Sequence, residues 1–271
     1  MMEAKIRKPA VAGSFYAGDA KELRQDVQNC FSRCKNPLME NVQAVIVPHA
    51  GYVFSGVTAA SAFAAINPDA EYEHIFLLGP SHHVYLGKAS VNIGASAYAT
   101  PLGNVPVDTA LCKDLMEKSN AITYAPEAHE SEHCLEVELP FLQYHMKKIP
   151  SIVPIIIATL ELTTLKKIAD TLKPYLNEKN LFVISSDFSH YPAYKDAEII
   201  DGLTKDSIMT GKVEAFVNAT LHNQELGIDH LATSACGMAP IATLLMMTEN
   251  DAKIKPHHVM YCNSGDSPYG G

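Results

Sequence analysis

The chain has 271 residues, 47% of them apolar and 19% charged, which is enough apolar material for a large core and excludes an intrinsically disordered protein. The 30 acidic against 21 basic residues give a formal net charge of -9, and with no basic run this argues against nucleic acid as a partner. No apolar stretch of signal-peptide length follows residues 1–7 and no segment reaches the length of a bilayer span, so a cytoplasmic protein without a membrane partner is expected.

No internal linker is visible, and residues 1–271 are expected to form a single α/β domain. The first helix is predicted from Ala20, Leu23, Val27, Cys30, Phe31 and Cys34, which recur at helical spacing after a cap at Gly18 and Asp19. A polar turn at Asn36 and Pro37 leads to the run Ala44–Val47, read as a buried strand that breaks at Pro48-His49-Ala50-Gly51. A small-residue helix over 55–66 precedes a second apolar run, Ile75 to Leu78, which ends in Gly79-Pro80-Ser81-His82-His83. Runs at 152–158 and 181–184 predict two more strands, the latter ending in Ser185-Ser186-Asp187-Phe188-Ser189-His190. Helices are expected at 111–118, 135–146, 162–176, 199–209, 213–221 and 237–248, and a closing strand at 259–262.

Continuous apolar strands alternating with amphipathic helices predict a three-layer α/β/α sandwich with a mainly parallel central sheet. In such sheets ligands bind beyond the carboxyl ends of the strands. Three of the four core strands run into His49, His82 and His190, so the topology gathers these side chains at one edge.

Asp187 lies three residues before His190, a spacing that lets a carboxylate orient an imidazole or ligate metal with it; capping a helix is its other reading. Cys236, in Thr233-Ser234-Ala235-Cys236-Gly237, stands at a helix entry where backbone N–H groups lower a thiol's pKa. It is read either as a reactive or ligating thiolate or as a small buried hydrophobe. In the stretch His129, Glu130, Glu132, His133, one group is expected to reach the site as acid or base, His133 first, while His129 and Glu130 read as solvated loop. The other five of the six cysteines form no C-x-x-C pair and are read as reduced structural thiols.

Taken together, Ala12-Gly13-Ser14-Phe15-Tyr16, Pro48-His49-Ala50-Gly51-Tyr52, Gly79-Pro80-Ser81-His82-His83, Thr100-Pro101-Leu102-Gly103, Glu132-His133-Cys134-Leu135-Glu136, Ser185-Ser186-Asp187-Phe188-Ser189-His190 and Ala235-Cys236-Gly237 resemble the Memo family over nearly the whole chain. That family is similar in fold to class III extradiol dioxygenases, which hold non-haem Fe(II) with two histidines and a carboxylate and open catechol rings with O2. The resemblance implies that fold here. It matches His49 and His82 to the two metal histidines, Cys236 to the position of the carboxylate, and His190 with its neighbour Asp187 to the acid–base group.

A thiolate in place of a carboxylate is softer and shifts the preferred ion from iron toward copper or zinc. The expected function is therefore a non-haem metal site, iron or alternatively copper or zinc, with His49, His82 and Cys236 as ligands, His190 and Asp187 handling protons and His133 near the substrate. A small molecule or peptide is the expected ligand of the strand-end pocket. Two alternatives stand beside it: a binding protein on a retired enzyme fold, in line with the link of animal Memo proteins to motility signalling, and a metal-free thiol hydrolase built from Cys236, His190 and Asp187.

Overall fold

The computed structural model describes residues 5–35 and 38–270; the expected turn at Asn36 and Pro37 lies outside the described residues. The chain opens with β1 (Lys5–Arg7) and α1 (Ala20–Ser32). The Asp19 side chain caps α1 by accepting from the backbone of Lys21 and Glu22, and Leu23, Val27 and Cys30 face inward. Next come β2 (Ala44–Val47) and α2 (Tyr52–Ala64). A Cβ on Gly56 would stand 2.8 Å from Cys30 Sγ, so the bare glycine is what lets α1 and α2 approach.

The middle of the chain supplies β3 (His74–Pro80), β4 (Lys88–Val91), β5 (Ala95–Thr100), β6 (Gly103–Pro106), α3 (Thr109–Lys118) and β7 (Ile122–Thr123). Instead of one helix over 135–146 there is a 3₁₀ turn, Glu136–Glu138, followed by α4 (Leu139–His145). Pro140 explains the break: it has no N–H to return to the Glu136 carbonyl, so it is tolerated only in the first turn of a new helix. The last third holds β8 (Ser151–Ala158), α5 (Leu162–Leu172), β9 (Asn180–Ser185), α6 (Tyr194–Met209), α7 (Val213–Glu225) and α8 (Met238–Thr248).

The central sheet has six strands in the order β2-β9-β3-β8-β4-β7, and its first four run parallel. β4 pairs antiparallel with β8 and parallel with β7. A smaller sheet, β1-β5-β6, lies apart. α1, α2 and α4 pack on one another, and α3, α5, α6, α7 and α8 form a second group, which gives the expected α/β/α sandwich. β3, β8 and β9 are buried along almost their whole length, whereas β2 alternates because it is an edge strand. Phe76 and Phe182 stack across β3 and β9 with centroids 4.6 Å apart.

The expected strand at 259–262 does not form. That segment meets the side of a helix instead of a strand edge: Cys262 Sγ lies 2.7 Å from Thr58 Oγ1, and Ser61 donates to Met260 Sδ at 3.2 Å. With no ladder partner its apolar run has nothing to pair with.

Candidate metal centre

Adjacency in the sheet brings the site together. β9 lies between β2 and β3, so the loops after the three strands, which carry Asp187 and His190, His49, and His82, leave the sheet side by side. Cys236 arrives from the entry of α8. A Cβ on Gly237 would lie 2.7 Å from the Ser185 carbonyl oxygen and closer still to Ser186, so glycine lets this entry seat against the end of β9. The junction is then tied by Gly237 N–H to Ser186 Oγ (2.9 Å), Cys236 N–H to Asp187 O (3.2 Å) and Asp187 N–H to Cys236 Sγ (3.3 Å).

His49 is only 2% exposed. Its Nε2 faces Cys236 Sγ at 3.2 Å, and its Nδ1 is 2.7 Å from Ser185 Oγ. Desolvation pushes its pKa down to about 4, against the pull of Asp187. Asp187 Oδ1 accepts from the backbone N–H of His49 (2.8 Å) and of Ala50 (3.3 Å), so it pins the His49 loop and does not cap a helix.

His82 is held by Glu132. Its Nδ1 is 2.9 Å from Oε1 and its backbone N–H donates to Oε2 at 2.8 Å. Desolvation works against charge on His82, but the hydrogen bond and charge of Glu132 outweigh it and raise its pKa. Burial would raise Glu132, yet His82 holds that carboxyl well below its usual range. The committed Nδ1 leaves Nε2 of His82 for a ligand.

The ligand atoms of His49, His82 and Cys236 all lie within 4.8 Å of one another, as do those of Asp187, His190 and Cys236. His133 joins the first group: its ring centroid is 5.4 Å from that of His49 and 4.8 Å from that of His82, and desolvation lowers its pKa. His190 donates from Nδ1 to the Phe188 carbonyl at 3.0 Å, so this carbonyl, not Asp187, orients the ring. Its backbone bridges Thr233, which couples the β9 loop to the segment bearing Cys236, and Tyr191 follows at φ 71, a left-handed conformation at which the chain turns away.

Two sequence expectations change. Helix entry was expected to lower the Cys236 thiol; desolvation followed by the charge of Asp187 instead pushes it up to about 12. His129, read as solvated loop, is 2% exposed and hydrogen-bonded to Ser90 Oγ (3.0 Å) and Tyr98 OH (3.2 Å). At the end of β3, Gly79 lets the chain pass close to Cys134 and Leu135, whose Cδ2 would stand 2.8 Å from an added Cβ.

Glu132, one of the stretch from which a group was expected to reach the site, does so by holding His82, and Ser185 and Glu138, which were given no role in the sequence, stand behind His49. The signal was there for Glu138, a carboxylate inside the apolar run Leu135 to Leu142. A groove of about 1700 Å³ runs beside β2 and reaches Asp187 and His190, while His49, His82 and Cys236 are not among its lining residues.

Residues 7–269 match the family model described as Memo-like protein. The chain belongs to the Memo-like family. A MEMO1 family protein of Nitrosopumilus maritimus is 32% identical over 96% of this chain and 94% of its own length. One of Aeropyrum pernix is 34% identical over 97% and 94%, and one of Schizosaccharomyces pombe 38% identical over 70% and 62%. A solved structure, an uncharacterized protein of Escherichia coli K12, superposes with a TM-score of 0.49 at 16% identity, covering 75% of this chain and 88% of that one. Among the described residues no helix is long and apolar enough to cross a membrane.

Proposed function

We propose that this Memo-like chain is a metal-dependent redox protein whose ion is held by His49 Nε2, His82 Nε2 and the Cys236 thiolate. Non-haem iron is the first choice of ion, with copper and zinc as the others. The supporting observation is that one ring nitrogen of each histidine and the Cys236 sulfur lie within 4.8 Å of one another while Nδ1 of each imidazole is already engaged, by Ser185 and by Glu132.

The donor set fits such an ion. His49 is kept neutral, as a ligand must be, and a divalent ion would displace the Cys236 proton on binding. When bound, iron or copper would supply Lewis acidity and one-electron chemistry toward O2 or a small molecule and zinc Lewis acidity alone, with the soft thiolate favouring copper or a retuned iron centre.

The chain's own groups do the rest. With Nδ1–H on the Phe188 carbonyl, the His190 ring leaves Nε2 as the atom that takes or returns a proton. Asp187 holds the His49 loop and places negative charge beside that histidine. His133 stands beside both imidazoles as the group nearest a substrate. A small molecule or peptide entering by the groove meets His190 and Asp187 first; at a net charge of -9 nucleic acid is not the ligand. A cytoplasmic location, where a free thiol stays reduced, belongs to the same proposal.

The thiol-hydrolase alternative is disfavoured. The imidazole 3.2 Å from Cys236 is that of His49, and desolvation lowers the pKa of this ring while raising that of the thiol, which works against a thiolate–imidazolium pair.

Anaerobic loading with Fe(II), desalting and metal analysis by mass spectrometry test the reading. About one ion per chain is expected in the wild type and in His190→Ala, with loss in His49→Ala and Cys236→Ser, and O2 uptake only by the loaded forms. Metal content near zero in the wild type would leave the binding-protein alternative.

A further inference from the structure

Behind His49 the Ser185 hydroxyl has three close neighbours and one proton. Its Oγ lies 2.7 Å from the Cys134 carbonyl oxygen, 2.7 Å from His49 Nδ1 and 3.0 Å from Glu138 Oε1. A carbonyl oxygen can only accept, so at 2.7 Å the serine proton must point at Cys134. The other two contacts then need protons from the other side: His49 must carry one on Nδ1, and Glu138 must carry one on Oε1. No other distribution places a hydrogen in every contact.

Two further observations agree. Glu138 is fully buried, and its Oε2 has no hydrogen-bond partner among the described residues. An ionised carboxylate with a bare buried oxygen is far more costly than a neutral acid with one. The ionised form would also draw the serine proton to itself and leave two oxygens facing each other at the Cys134 contact. Burial pushes the Glu138 carboxyl well above the usual carboxylate range.

We propose that Glu138 is a positioning residue that donates a hydrogen bond to Ser185 Oγ, completing a buried proton arrangement in which His49 is protonated at Nδ1 and directs its Nε2 lone pair at Cys236. Glu138 touches neither Cys236 nor a substrate; it acts through Ser185. The arrangement is a property of the metal-free chain, and only its consequence for a bound ion rests on the function proposed above. A His49 whose Nδ1–H is satisfied from behind needs no rearrangement to donate from Nε2.

The test uses the full chain without metal. The infrared difference between wild type and Glu138→Gln at neutral pH is expected to show a protonated carboxylic acid C=O stretch present only in the wild type. Carboxylate bands in its place would overturn the proposal. Long-range 15N–1H spectra of the histidine rings are expected to show His49 as the Nδ1–H form in the wild type and in Glu138→Gln, whose amide still donates, and as a mixture in Ser185→Ala. A wild-type His49 protonated at Nε2 would overturn it, and that spectrum decides even where a variant fails to fold.

Co(II) titration then reads the consequence. Ser185→Ala is expected to bind about 10–100-fold more weakly and Glu138→Gln as tightly as wild type. A Glu138→Gln loss as large as that of Ser185→Ala contradicts the donor role. Absence of Co(II) binding by the wild type would sink the metal reading alone and leave the proton arrangement standing.

Discussion

Glu132 grips His82 at two points, its Oε1 2.9 Å from the ring Nδ1 and its Oε2 2.8 Å from the backbone N–H. The same Oε1 accepts from the backbone of His133 (2.9 Å) and Cys134 (3.1 Å), so one buried carboxylate fixes a candidate ligand, its ring orientation and the neighbouring loop together. Glu132→Gln turns one acceptor oxygen into a donor facing N–H groups. Metal affinity is expected to fall about 10–100-fold and stability by about 1–3 kcal/mol, read by competition titration and urea unfolding.

Gly237→Ala drives a methyl into Ser186 and the Ser185 carbonyl at the end of β9. Backbone must shift at the junction that carries Cys236. The expected cost is about 1–3 kcal/mol in urea unfolding, accompanied by weaker metal binding; an unchanged unfolding midpoint would show that the close approach does not matter.

The Glu136 carboxylate, fully buried, takes Arg7 Nη1 at 2.6 Å, Tyr16 OH at 2.6 Å and the backbone N–H groups of Ala10 (2.7 Å) and Val11 (3.0 Å). Removing it strands the Arg7 charge in the interior. Glu136→Ala is expected to lose about 3–5 kcal/mol and to release the segment that carries Phe15, whose ring meets His133 edge-on at 4.8 Å. Thermal unfolding checks the first effect and the His133 NMR signals the second.

His129, buried against Ser90 and Tyr98, supplies a pH dependence of its own. Desolvation, reinforced by the Arg7 charge, lowers it from 6.5 to about 3. Between those values the unfolded chain binds a proton that the folded chain refuses, so stability falls as the pH drops through this window. His129→Gln removes that difference; between pH 6 and 4 its urea-derived stability is expected to fall less steeply than that of the wild type, by up to about 1.4 kcal/mol per pH unit.

The parallel sheet and the strand-end histidines were legible because β3, β8 and β9 are buried on both faces and so read as unbroken apolar runs. β5 was not: Ala95, Ser96, Ala97 and Ala99 are too small to show an alternation, and it pairs with β1 and β6 in a separate sheet. The run at Val259 misled because a strand pattern does not say whether a ladder partner exists. Among the site residues, Ser185 escaped notice, and Glu132 was named within its stretch but not as the partner of His82, because both roles come from chain-distant contacts, with His49 and His82 respectively. Cys236 does lie beside His49, but the direction of its thiol's shift was not legible, since desolvation at the β9 junction outweighs the helix entry.

Anomalous diffraction at the iron, copper and zinc edges, on crystals of protein purified without added metal or chelator, decides whether His49, His82 and Cys236 hold an ion. One strong peak is expected at bonding distance, about 2.0–2.3 Å, from His49 Nε2, His82 Nε2 and Cys236 Sγ. No peak between these three donors, or a peak only at the neighbouring group of His83, Glu132 and His133, would contradict it.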